Sequence, residues 1–199
     1  MHETSKSVFR KLNDTRYATR FLVGHGIDIG AGNDSLNQYL ELFPLAKSCR
    51  SWDLDDGDAQ LLNSISDNFF DFVHSSHCLE HMVEPIVALN NWLRVLRPGG
   101  HLIILIPDED LYEQGIFPSI FNSDHKHTFT IYKKDSWSNA SLNIIDLLPK
   151  TTFNTKIIKI ELLDSTYRYN FRDSNFANSI DQSMTPIGEC SIEIVIQKL

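Results

Sequence analysis

Apolar residues recur along the chain in two periods, and these mark out alternating strands and helices. Phe21 to Ile29 reads as a first strand, with Gly24 and Gly26 placing its start late. It runs into the turn Gly30-Ala31-Gly32, after which Asn33 or Asp34 is suited to cap a helix over Leu36 to Leu42 that stops before Pro44. Ser48 to Leu54 and Phe69 to Ser75 read as two more strands. In Glu84 to Leu96, apolar residues fall at Ile86, Val87, Leu89, Leu93 and Leu96, the spacing of a helix, and Arg97-Pro98-Gly99-Gly100 stops it. His101 to Ile106 is a continuous apolar run, as expected of a strand buried on both faces. Ser136 to Leu148, stopped by Pro149, predicts a further helix, and Thr155 to Leu163 and Ser191 to Lys198 predict two late strands. The polar stretch Asp164 to Glu189 between those strands reads as a long loop. Strand alternating with helix predicts an α/β domain with a mainly parallel sheet. The two late strands lack an intervening helix and are expected to pair antiparallel at one edge.

Composition changes this picture little. Residues 1–199 suit a single domain with a sizeable core, and 42% of them are hydrophobic. No apolar run approaches the roughly 18 residues of a membrane span. Residues 1–20 mix Lys6, Arg10, Lys11, Arg16 and Arg20 with Val8, Phe9, Leu12 and Tyr17, which fits an amphipathic helix lying over the domain as a lid, or a solvated arm. They do not resemble a secretory signal, so the cytoplasm is the expected location. Cys49, Cys78 and Cys190 are widely spaced and are expected to be free thiols. The net charge of −8 argues against nucleic acid as a partner.

In a sheet of this kind ligands bind beyond the carboxyl ends of the strands. Gly30-Ala31-Gly32 lies at the first such end, Asp53 and Asp55 at the second, and Ser76, His77, Glu80 and His81 at the next. After HLIILI come Pro107, Asp108, Glu109 and Asp110. An acid at the second strand end is suited to accept hydrogen bonds from both hydroxyls of a ribose. Asp58 and the amide of Ala59 are suited to an adenine ring.

With these residues in place the chain resembles the class I S-adenosylmethionine-dependent methyltransferases of the type 11 branch. Asp28-Ile29-Gly30-Ala31-Gly32 matches the family's first motif, with Asp34 where a third glycine is usual. Asp53 matches the ribose acid and Gly57-Asp58-Ala59 the adenine motif. Asp67 to Asp71 matches the approach to the next strand, Leu79-Glu80-His81 the "LEH" turn, and Leu93 to Gly100 the helix-to-strand turn. The resemblance spans about residues 21–107. It implies S-adenosyl-L-methionine as cofactor, held by Asp28, Gly30, Ala31, Gly32, Asp53, Asp58, Ala59, Ser76 and His77. It also implies a Rossmann-like sheet with an antiparallel edge strand. One departure stands out: Asp53 and Asp58 are only five positions apart. A parallel crossover needs about a dozen residues or more, so the third strand and the helix before it are expected to be shortened or missing.

Residues 107–130 are too long for a plain connection and are read as an acceptor-binding insertion. They resemble a subgroup of predicted methyltransferases from bacterial surface-polysaccharide gene clusters, which implies an oxygen of a small molecule or glycan precursor as methyl acceptor. A hydroxyl acceptor benefits from a base, and histidine has the suitable pKa. His125 and His127 are the candidates, with His77 third and Asp108 as an orienting acid. Glu80 and His81 are read as holding the strand-to-helix turn by hydrogen bonding. Asp108, Glu109, Asp110, Asp124, His125 and His127 carry donors for a divalent cation, but loop acids are ordinarily solvated and no metal is assigned. Ser75 to Cys78 stands where base-amine methyltransferases carry an Asn/Asp-Pro-Pro-aromatic motif. The shortened connection motivates an alternative, a catalytically inactive binding or scaffold protein of the same fold. A dehydrogenase ranks below both, having no use for the GDA and LEH segments. The sequence does not give the oligomeric state.

Overall fold

The structure, a computed structural model, describes residues 3–171 and 180–199. The strands are β1 (Gly24–Ile29), β2 (Ala46–Trp52), β3 (Phe70–Ser76), β4 (Leu96–Pro107), β5 (Thr128–Thr130), β6 (Ser141–Asn143), β7 (Thr155–Leu163) and β8 (Ser191–Lys198). The α-helices are α1 (Glu3–Leu12), α2 (Pro85–Val95) and the single turn α3 (Ile144–Leu147). The main sheet has the order β2-β1-β3-β4-β8-β7. Its first four strands are parallel, and β8 runs antiparallel to both β4 and β7. The expected antiparallel pair is there, with the reversed strand β8 one position in from the edge.

The apolar run of β4 shows why both faces are covered. Leu102, Ile104 and Ile106 point into one core with Leu89, Trp92 and Leu93 of α2, while Ile103 and Leu105 point into a second core with Tyr17, Phe21 and Phe43. Alternate side chains of a strand take opposite faces, so an unbroken hydrophobic run needs a layer on each side.

Between Trp52 and Phe70 the described chain forms neither an α-helix nor a strand, only a short 3-10 turn at Leu54–Asp56 and further turns. The spacing of Asp53 and Asp58 foreshadowed this loss. The segment expected to form a helix over Ser136 to Leu148 does something else. Ser141–Asn143 pairs in parallel with Thr128–Thr130, and the Asn143 side chain caps Ile145 N at 2.9 Å, so helix begins only at Ile144. The expected loop over Asp164 to Glu189 lies partly outside the described residues; the described part holds two short 3-10 turns.

Residues 3–21 are packed, not a solvated arm. Arg10 pairs with Glu189 at 2.8 Å and with Glu193 at 2.5 Å on the β8 side. Lys11, fully enclosed, donates to Ser7 Oγ at 2.9 Å and lies 3.0 Å from His74 Nε2. The three cysteines are free and buried. No helix among the described residues is long and apolar enough to cross a membrane.

Candidate active site

At the carboxyl ends of β1, β2 and β3 two adjoining cavities share Gly30, His77 and His81. One, of about 420 Å³, is lined by Asp53, Leu54, Gly57, Asp58, Ala59, Cys78, Met82 and Asp124. The other, of about 250 Å³, is lined by Ala31, Gly32, Asn33, Asp34, Ser76 and Asn122, and by Glu3 and Thr4 of α1. Gly30 sits at the junction with φ +73°, and a Cβ there would fall 2.6 Å from that of Cys78. Only glycine meets both demands. The Gly30 and Ala31 amides donate to the Trp52 carbonyl, at 2.9 and 3.1 Å, so these two are used inside the fold. Asp34, where the third glycine would stand, accepts from Ser5 N at 2.9 Å and Tyr39 Oη at 2.7 Å and so ties α1 to the turn.

The larger cavity keeps its shape without the missing strand because side chains grip the backbone that replaces it. Trp52 Nε1 donates to the Gly57 carbonyl at 3.2 Å, and Trp92 Nε1 to that of Ala59 at 2.8 Å. Arg94 donates to the carbonyls of Leu61, Leu62 and Ile65 and to Asp67. Asp53 Oδ1 accepts from Leu54 N, and Asp58 Oδ1 from Gln60 N at 2.7 Å, while both side chains stay exposed in the cavity. Asp55 does not line it.

Asp28 is the first motif residue that the structure places elsewhere. It is buried, with Oδ2 accepting from Leu36 N at 2.7 Å and Oδ1 2.6 Å from His74 Nδ1. It holds the turn after β1 in position and lines neither cavity. His74, with Lys11 on its other nitrogen, is kept below the usual imidazole pKa, first by burial and then by the Lys11 charge. The sequence reading missed this Lys11–His74–Asp28 chain; a histidine in the apolar run of β3 was the available signal.

The catalytic candidates separate. His127 is half-buried, with Nε2 3.2 Å from the Val83 carbonyl, and lines neither cavity. Asp108 is buried; it caps Asp110 and Leu111 at 3.0 Å each, and burial pushes its pKa up to about 7. It too lies away from the cavities, held under the 107–130 segment by its own amide contacts. His125 comes close from behind. The segment folds back so that Lys126 N and His127 N donate to the Glu80 carbonyl, at 2.8 and 3.3 Å. This sets the His125 ring edge-to-face with that of His81, centroids 5.0 Å apart. The histidines at the junction of the cavities are His77, the third candidate, and His81, read from the sequence as holding the turn.

Glu80 departs most from expectation. Its side chain does not hold the turn, since neither carboxylate oxygen has a hydrogen-bond partner although the residue is fully buried. Three imidazoles surround Oε1: His77 Nδ1 at 3.6 Å, His81 Nε2 at 3.9 Å and His125 Nε2 at 3.9 Å. Burial raises the Glu80 pKa to about 7 and lowers that of His77 to about 3. Burial would also lower the pKa of His125, but its hydrogen bond to Glu113 and the Glu80 carboxylate outweigh this and raise it. His77 has φ +51°, a conformation uncommon outside glycine, and its Nε2 lies 3.0 Å from Ser191 Oγ. The strain falls at the strand end where the two cavities meet.

Residues 43–104 match the type 11 methyltransferase-domain family. None of the curated proteins compared with the chain matches it. Among solved structures, a SAM-dependent methyltransferase from Archaeoglobus fulgidus is 18% identical, with 98% of this chain and 94% of that one covered and a TM-score of 0.59. An S-adenosylmethionine-dependent methyltransferase from Mesorhizobium loti is 12% identical, with 96% and 97% covered and a TM-score of 0.57. At such identities the likeness shows the fold: this chain has the Rossmann-like fold of the class I methyltransferases, with its third strand absent among the described residues.

Proposed function

We propose that the protein transfers a methyl group from S-adenosylmethionine to an oxygen of a small molecule or glycan precursor. The observation that carries the reading is the pair of cavities meeting at Gly30, His77 and His81. One end presents Asp53 to ribose hydroxyls, Asp58 and Ala59 to adenine, and the exposed Leu54 to a ring face. The other end presents Ala31, Gly32, Ser76 and His77, with α1 as its wall, to the amino-acid part. Of the family-motif residues, Gly30, Gly32, Asp53, Asp58 and Ala59 line these adjoining cavities, and Asp28 lies buried beneath the turn. The sulfonium supplies an activated methyl group, so much of the acceleration can come from holding donor and acceptor in line.

What this chain adds at the junction is the group around Glu80. His81, 24% exposed, reaches the space an acceptor must occupy, with Glu80 and His125 behind it. As the acceptor oxygen bonds to the methyl carbon and the carbon–sulfur bond breaks, the hydroxyl proton is taken up through this group, not by His127 or Asp108. A further cavity of about 720 Å³, lined in part by Lys6, Phe9, Phe121 and Met184, adjoins at Glu3 and offers an acceptor a mixed polar and apolar approach. A crevice filled by side chains would support the scaffold alternative, and the open cavities favour the enzyme reading; cofactor binding with no acceptor turned over would still support the scaffold.

Calorimetric titration with S-adenosylhomocysteine tests the proposal. One site is expected, with a rise in melting temperature; a ligand at 100 times its Kd stabilises by about 2.7 kcal/mol. Absence of binding by both S-adenosylhomocysteine and S-adenosylmethionine would overturn it.

A further inference from the structure

We infer that Glu80, His81 and His125 form a binding site for one first-row divalent transition-metal ion, with His77 beside it as a further nitrogen donor. One ligand atom from each of the three lies within 4.8 Å of the others, at the wall of the crevice.

Three independent features converge. The first is polarity without partners: the fully buried Glu80 has neither oxygen hydrogen-bonded, and His125 Nε2 and His77 Nδ1 are likewise buried and unpartnered. Buried polar groups are ordinarily satisfied, and each exception asks for an explanation. The second is ring orientation. His125 Nδ1 is 2.6 Å from Glu113 Oε1, and His81 Nδ1 is 2.9 Å from Asp124 Oδ2. Each carboxylate fixes its imidazole so that the N–H lies at Nδ1 and the Nε2 lone pair turns toward Glu80. A carboxylate behind the far nitrogen is the arrangement that accompanies histidines bound to metal. The third is distance. A charge-assisted N–H···O contact closes to about 2.7–2.9 Å, yet the three nitrogens stand off Oε1 by 3.6 to 3.9 Å. Four ligands placed tetrahedrally about 2.1 Å from an ion are about 3.4 Å from one another. The separations from Oε1 are thus 0.2 to 0.5 Å longer than about 3.4 Å, and the ligand atoms lie within 4.8 Å of one another, so the group must close up around an ion and is far from the geometry of a simple ion pair.

Two imidazoles with a carboxylate favour zinc, iron, cobalt or nickel over magnesium or calcium, which prefer all-oxygen ligation. His81 reaches both cavities, so an ion there would face the crevice. Its use to lower the pKa of an acceptor hydroxyl rests on the methyl-transfer reading; its binding does not.

The test uses the full chain stripped with EDTA and titrated with cobalt(II) chloride, followed by visible ligand-field absorption and by metal analysis after gel filtration. One equivalent is expected, displaced by zinc and not by magnesium. His81→Gln, His125→Gln and Glu80→Gln should each weaken cobalt binding at least about 100-fold, and Glu113→Gln about 10- to 100-fold. Glu80 and His125 are buried, so the partly exposed His81→Gln, with its fold checked by circular dichroism, carries the decision if the others fail to fold. Absence of stoichiometric cobalt, or undiminished binding by folded His81→Gln, overturns the site. S-adenosylhomocysteine titrations run separately distinguish the two readings. Product binding without cobalt sinks the cation site alone; cobalt without product supports the site and sinks the methyl-transfer reading.

Discussion

The two sides of the crevice are built on opposite plans. On the side of Asp53 and Asp58, acids stand in the open and the backbone beneath them is gripped by Trp52, Trp92 and Arg94. On the side of Glu80, the carboxylate is buried without a hydrogen-bond partner, and the returning segment grips only the backbone, Lys126 N and His127 N donating to the Glu80 carbonyl. Exposed acids over a clamped backbone suit a ligand that arrives with hydrogen-bond donors. Buried groups short of partners keep their desolvation cost until something meets them. The first side is a receptor already satisfied without its ligand, the second an arrangement whose polar groups are incomplete.

Four substitutions test this contrast. Trp92→Ala removes the indole that spans the core of α2 and the Ala59 carbonyl. It should cost about 3–5 kcal/mol in urea unfolding. A loss below about 1 kcal/mol would show that the strap does not depend on it. Next, Asp53→Ala should weaken S-adenosylhomocysteine binding by about 2 kcal/mol, roughly 30-fold in Kd, as one charge-assisted contact is lost. Glu80→Gln should change that affinity only about twofold by the same calorimetry, and equal losses would mean that the two sides are not separate. The smallest effect lies at the other end of the sheet. Burial opposes ionisation of Asp71, yet the His25 amide and Arg97 hold its pKa below the ordinary carboxylate value. An acid whose folded pKa is depressed contributes stability above its unfolded pKa, and that contribution is lost as pH falls through the folded value. Arg97→Ala should therefore remove part of the acid-side slope of stability, by less than about 1 kcal/mol because the pair is solvent-exposed. Product affinity should not move.

The same division explains what the residues disclosed in advance. Gly30, Gly32, Asp53 and Asp58 are local signals, each read within a few positions of a strand end. The short interval from Asp53 to Asp58 even announced a missing strand. Glu80 gave no such signal, because its meaning depends on His125, and sequence proximity says nothing of a segment that returns at Lys126 and His127 to hydrogen-bond its carbonyl. His127 ranks beside His125 as a candidate base, with Asp108 as an orienting acid, and only the fold-back, which buries His125 and leaves His127 half-buried, separates the two histidines. The helix expected over Ser136 to Leu148 failed for a related reason: Leu142 sits at a helical spacing but is taken by pairing with Phe129, and Asn143 supplies a cap that starts the helix late.

The lost strand has a consequence for how molecules meet one another. Without it, β2 becomes the rim of the sheet, a row of backbone donors and acceptors on which a strand from another molecule could add. The outer positions of that rim carry Lys47, Ser48, Arg50 and Ser51, all exposed, with the Arg50 guanidinium laid 4.9 Å over the Trp52 ring. Arg50 also pairs with Asp56 at 3.7 Å, so a strand adding to this edge would have to desolvate Lys47 and an ion pair, and charged side chains give the protection against aggregation that a neighbouring strand would have given.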